Sequence, residues 1–315
     1  MTMRILRLRL LLRLAVSAAL MAWILARTPF REVAAAVRGA DPRFLLLALV
    51  VSPLGTLPSV LRWRLLIRAQ GGDAPFPFLV RSFLTGIFFN NFLPSTIGGD
   101  TVRALDTART GVGRAKGIAI VFVDRFVGLL ALVLFAVAGL SISGVSGVSG
   151  VSGRLLARVP DLYGWVLAGS ALLLVAAAFL FLPSGRLSRF LAFQGKGRAL
   201  AGAFAWSLAM QGMVVLSWYL LARALHAPVP FAVFFLIVPL ALFVMMLPVS
   251  INAIGVRENV WAFFLVALGA PAAMGVALAW LDYGLVLLQA LAGGVVYALG
   301  RRRETAVAVE GAAVP

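Results

Sequence analysis

Apolar runs long enough to cross a bilayer alternate along the chain with short arginine-bearing stretches, and a span needs ~20 such residues. The first run ends near Ala26 and is preceded and entered by Arg4, Arg7, Arg9 and Arg13. Residues 28–42 read as a short interfacial helix, opened by Pro29 and closed by Gly39 and Pro42. Further runs cover about 43–67, 117–140, 160–182, 199–222 and 271–299. The run at 43–67 carries Pro53, Gly55 and Pro58, which predict a bend. Residues 141–153 repeat Gly-Val-Ser triplets and read as a flexible loop without chemistry.

Two segments break this pattern. Residues 78–100 start apolar and end in Asn90-Asn91-Phe92-Leu93-Pro94-Ser95-Thr96-Ile97-Gly98-Gly99-Asp100, followed by a polar helix from Arg103 to Lys116. Residues 231–256 start apolar, break at Pro248-Val249-Ser250-Ile251-Asn252, and lead into a helix over 257–268. Leu93–Arg103 aligns on Leu247–Arg257 without a gap, and five of the eleven positions are identical. Polar, Gly- and Pro-rich backbone at membrane depth needs partners in protein or in a water-filled cavity. Interrupted segments at corresponding places in two halves point to a transporter binding site.

Composition agrees with the membrane reading. The chain is 62% hydrophobic and 12% charged, with a net charge of +17. The arginines cluster at the ends of apolar runs, as the positive-inside rule requires, so no nucleic-acid partner is expected. There is no cysteine, and the single histidine, His226, lies in a Pro-flanked loop. No metal or cofactor is therefore expected.

The same arginines predict topology. The N-terminus, the Arg62–Arg68 end, the Arg186–Arg198 loop and the Arg301–Arg303 end are expected on the cytoplasmic side. Each interrupted segment must then begin and end on one face, the first inside and the second outside. The expected fold is all-α and polytopic: six full spans plus two re-entrant helical hairpins in an inverted-topology repeat. Ten full spans would also fit the hydrophobic pattern. One membrane domain is expected over 1–303, with halves at about 5–140 and 160–300, and a disordered tail over 304–315.

Arg103 and Arg257, converging from opposite faces, would make a basic site suited to phosphate. Asn90, Asn91, Ser95, Thr96, Gly98, Gly99, Ser250 and Asn252 complete the candidate lipid-headgroup set. Gly98 and Gly99 would offer backbone N–H groups to an anion. Asp100, Asp124, Arg125, Glu258 and Asp282 are candidates for pairing or proton coupling. Structural alternatives are an Asp100–Arg103 pair at i,i+3 spacing, an interhelical ion pair at Asp124-Arg125 and a helix cap at Arg257-Glu258.

Asn90-Asn91-Phe-Leu-Pro94-x-x-x-Gly98-Gly99-Asp100-x-x-Arg103 is the first of three motifs that resemble a known family. The others are Asp124-Arg125-x-x-Gly128 and Pro248-x-Ser250-x-x-x-x-Gly255-x-Arg257-Glu258, and Arg62-Trp63 is similar too. The family is the lysylphosphatidylglycerol synthase transmembrane region, a flippase-like group that also forms the membrane half of multiple-peptide-resistance factors. The resemblance spans about Leu10 to Gly300 and implies a plasma-membrane protein that moves lipids between leaflets. The expected partner is an anionic phospholipid, an aminoacyl-phospholipid or a polyprenyl-phosphate lipid. Bifunctional members add a soluble aminoacyl-transfer domain; with a dozen residues after Arg303, no synthase activity is expected. Ala253 stands where the family pattern leads one to expect glycine. Two other readings are a membrane transferase using a polyprenyl-phosphate donor, with Asp100 and Asp106 but no Asp-x-Asp, and a non-catalytic partner of a cell-envelope enzyme.

Overall fold

The computed structural model describes residues 30–92, 98–145, 196–247 and 249–312, with isolated positions between 15 and 28 and between 164 and 193. Ten α-helices and no strands occur among the described residues. The short helix expected near the N-terminus is α1, Phe30–Arg38, with Val33 fully buried. α2 (Pro42–Leu54) starts where the Asp41 carboxylate accepts the Arg43 N–H at 2.8 Å, with Pro42 in the first turn, where its missing N–H costs nothing. It ends at the expected bend, and α3 (Thr56–Ala69) resumes directly after Gly55.

The first interrupted segment forms α4 (Phe76–Phe92) and α5 (Gly98–Thr107), with residues 93–97 outside the described set. A π-type turn over Ala108–Val112 leads to α6, Arg114–Val145. Gly111 and Gly113 adopt positive φ there, a conformation that glycine reaches at no steric cost. α6 exceeds its expected end at Leu140 by taking in the first residues of the triplet repeat. The Ser141 hydroxyl donates to the Val137 carbonyl one turn back. Residues 146–153 of the repeat, the first span through its arginines and nearly all of 160–182 lie outside the described residues.

The second half repeats the order of lengths. α7 (Gly197–Ala224) is followed by two short helices, α8 (Phe231–Met246) and α9 (Val256–Ala267), then by the long α10, Ala272–Ala312. The last span was expected to end near Leu299, and α10 runs past that position to Ala312. Among the described residues, four stretches are long and apolar enough to cross a membrane: α2 with α3, α6 to Ile142, α7, and α10 to Gly300.

Packing exchanges elements between the halves. α4 of the first half packs along α10 of the second, while α8 of the second packs along α6 of the first. Both crossings depend on glycine. A Cβ on Gly139 of α6 would overlap the backbone of Phe235 and Leu236 in α8, and one on Gly293 of α10 would overlap the Leu84 carbonyl oxygen in α4. Gly139 and Gly293 are separated by the same number of residues as Arg103 and Arg257. Small residues let helix backbones approach where lipid supplies no hydrophobic drive.

Candidate functional site

Arg62, Asp124 and Arg103 form a buried cluster on α3, α6 and α5. Arg62 Nε donates to Asp124 Oδ1 at 2.6 Å and Nη2 to Oδ2 at 3.0 Å, while Nη1 donates to the Ser207 hydroxyl at 2.8 Å. Arg103 Nη2 donates to Asp124 Oδ2 at 3.0 Å. Arg62 and Arg103 are each 5% exposed and Asp124 is not exposed at all. The Arg103 guanidinium lies 4.7 Å from the Trp63 ring centre and 5.2 Å from that of Phe83. Those faces share its charge with Asp124. Trp63 is itself held, since its Nε1 donates to the Thr107 hydroxyl, which donates to the Arg103 carbonyl.

This geometry explains the spacing Asp124-Arg125-x-x-Gly128. One helical turn puts Asp124 and Gly128 on the same face, and a Cβ at Gly128 would press on Arg62 Nη1. Asp100 does not pair with Arg103, one turn away. It turns to Arg125, which donates to both its oxygens, the shortest contact being 2.6 Å. α5 is thus tied to α6 by two crossed ion pairs.

The asparagines join the interrupted units. Asn90 Oδ1 accepts the Gly99 N–H at 2.8 Å, so that N–H, expected to face an anion, caps α5 instead. Gly99 also crosses so close to Gly86 of α4 that any side chain would overlap the Gly86 carbonyl oxygen. Asn91 donates to the Ile87 carbonyl, and its Oδ1 accepts from Asn252 Nδ2 at 3.0 Å. The two units therefore touch. Ser95 and Thr96 lie outside the described residues, and Gly98 opens α5.

In the second unit the backbone turns through Asn252 at φ +50°, Ala253 at +57° and Gly255 at +82°. Ala253 occupies the position where glycine was expected, in the left-handed region that disfavours a Cβ. Ala253→Gly is expected to raise stability by about 0.5–1 kcal/mol, read as a higher melting temperature in detergent. Glu258 takes the structural alternative: its Oε2 accepts the Gly255 N–H at 2.8 Å and caps α9.

Arg257, 7% exposed, faces a cavity of about 290 Å³ bounded by α2, α3, α4, α7, α8, α9 and α10. Its guanidinium lies 4.9 Å from the Tyr283 ring centre, and Nη1 is 3.5 Å from Asp282 Oδ2, too long for a good hydrogen bond. Among the described residues that Nη1 has no hydrogen-bond partner, nor does the buried Ser250 hydroxyl nearby in sequence. Ser52 and Gln289, hydrogen-bonded to each other at 2.8 Å, also line the cavity. Phe83 lines it too, with Arg103 against its ring. Arg103 does not line this cavity. Each arginine of the repeated motif thus has a carboxylate within reach and one buried guanidinium nitrogen without a hydrogen-bond partner among the described residues, but only Arg257 lines this cavity.

Sequence reasoning missed Arg62 by assigning it to a membrane–water interface. The signal was present: Ser59, Arg62, Trp63 and Leu66 share one helical face, and all four are buried. Ser52, Tyr283 and Gln289 carried no such signal, because neutral polar residues are common in spans.

The motifs are now tied to a fold, and the family model described as the lysylphosphatidylglycerol synthase TM region matches residues 10–294. The chain belongs to this family. It is similar to a UPF0104 membrane protein of Pyrococcus horikoshii, 23% identical over 280 residues, covering 77% of this chain and 82% of the relative. It is also 35% identical over 75 residues to a UPF0104 membrane protein of Methanothermobacter thermautotrophicus, covering 24% of this chain and 21% of that one. Membership and the apolar helices make the chain a multi-pass membrane protein of a lipid-related family.

Proposed function

We propose that the protein is a lipid translocase, a flippase or scramblase that carries a phosphate-bearing lipid headgroup through the cavity at Arg257. The observation that carries this reading is a buried guanidinium whose Nη1 lacks a hydrogen-bond partner among the described residues, lining a largely apolar cavity that also holds Ser52, Ser59, Asp282 and Gln289. A buried arginine without a full set of acceptors is an unmet demand for an anion, and its planar fork suits phosphate. Asp282 would hold Arg257 between turnovers, and a headgroup oxygen would replace that long contact.

The two halves would form an inverted-topology repeat. The exchanged α4–α10 and α8–α6 packing supports this, with glycine at both crossings. Such repeats exchange access between the two faces by moving one unit against the other. The Asn91–Asn252 bond is the polar link between the units and would break and re-form in that movement. Arg103, hydrogen-bonded to the Asp124 that it shares with Arg62, would anchor α5 rather than bind lipid. The protein would sit in the plasma membrane with both termini cytoplasmic.

Leaflet exchange in proteoliposomes tests this with fluorescent phosphatidylglycerol, an aminoacyl-phosphatidylglycerol and a polyprenyl phosphate. Exchange of one lipid is expected, falling at least tenfold in Arg257→Ala. Folded wild-type protein that exchanges none of the three, or an Arg257→Ala variant as fast as wild type, would sink the proposal.

A further inference from the structure

A second and larger cavity, about 550 Å³, lies between α4, α5 and α10, away from Arg257. Its polar lining comes from Arg81, Ser82 and Thr85 of α4, Asp106 of α5 and Arg109 of the π turn, with Tyr297 of α10 opposite. Arg109 Nη1 donates to Asp106 at 3.1 Å, which leaves the other N–H groups of its fork available. No described carboxylate pairs with Arg81, whose guanidinium lies over Gly300, where a Cβ would overlap it. The Ser82 hydroxyl, on a residue 4% exposed, has no hydrogen-bond partner among the described residues. The balance of these groups is one positive charge in excess, beside an orphaned hydroxyl.

The two cavities are successive stations along α10. Asp282, Val286 and Gln289 line the first, and Val296, Tyr297 and Gly300 line the second. At 1.5 Å per residue, Gln289 and Val296 are about 10 Å apart along the axis. Between them lies the Gly293 crossing with Leu84. On α4, the adjacent residues Ser82 and Phe83 face different cavities. The second cavity opens near Arg301–Arg303, the end that charge assigns to the inner leaflet.

We propose that this second cavity is a separate phosphate-binding site, with Arg81 and Arg109 as cationic arms and Ser82 as a hydroxyl donor. The ligand class is a phosphate group, carried by an anionic lipid headgroup or free in solution. The claim concerns binding alone and stands or falls apart from leaflet exchange at Arg257.

The test uses the full chain in maltoside micelles, titrated with dioctanoyl phosphatidylglycerol, with dioctanoylglycerol and with inorganic phosphate. Bound species are counted by native mass spectrometry, and the melting temperature is followed. Saturable binding of the phospholipid is expected, with none of the phosphate-free dioctanoylglycerol. Arg81→Gln and Arg109→Gln should each weaken it at least tenfold, and Arg38→Gln, on exposed α1, should not. Both test arginines are exposed, so their ligand-free melting temperatures should match wild type. Displacement by inorganic phosphate at similar concentration would support the site with free phosphate as its ligand. Equal binding of dioctanoylglycerol, or unchanged affinity in both variants, would overturn it.

Discussion

Asp124→Asn should destabilise the protein by about 3–5 kcal/mol, the range for removing one partner of a buried ion pair. The geometry puts this substitution at the upper end. Asp124 is the shared acceptor of two buried guanidiniums, so its loss leaves Arg62 and Arg103 facing each other without a counter-charge. The carboxamide keeps the volume and one acceptor, so the effect reports charge rather than a cavity. Thermal melting of purified protein in detergent is the measurement. Adding Arg62→Gln to Asp124→Asn should recover part of the loss, because one orphaned cation is then gone. Replacing all three by apolar residues of similar size should be tolerated better than Asp124→Asn alone. A variant that melts like wild type would mean that water or a ligand reaches the cluster, and that Arg103 is available for lipid after all.

Gly293→Val should be nearly as damaging, with about 3 kcal/mol or more expected from overpacking a site that cannot relax by side-chain rotation. The added Cβ meets the Leu84 carbonyl oxygen, which is backbone, so α4 and α10 would have to separate. Gly139→Val should do the same to α6 and α8, where the nearest atoms are the backbone of Phe235 and Leu236. Gly284, on the same helix as Gly293, is the control. Nothing lies within 4 Å of a Cβ there, so Gly284→Ala should melt at or above the wild-type temperature. If Gly293→Val and Gly284→Ala melted alike, the close crossing would not be a determinant of the fold.

These two expectations rest on different kinds of legibility. The interrupted units could be read from the chain, since Pro94, Gly98-Gly99 and Asn252 sit badly in hydrocarbon. So could the bend at Gly55 and the short helix before it. The glycine missing at position 253 was recognised as a departure, and the left-handed backbone there gives its physical meaning. The partner of each charge could not be read. Asp100 stands three residues before Arg103, which made a local pair the economical guess, yet both reach across to α6. The arrangement follows from which helices pack side by side, and that depends on contacts between residues far apart in the chain.

Hydropathy, arginine placement and Gly/Pro interruptions are local properties, so a helical membrane protein, its family and two broken units were legible in the chain alone. Packing between distant segments places Arg103 on Asp124 and Arg257 at a cavity. It also decided that Arg62 is buried and that each half lends a short helix to the other. The physical reason is that a charge is neutralised by what lies within a few ångströms. For Arg62 that partner is 62 residues along the chain, and no local pattern records it.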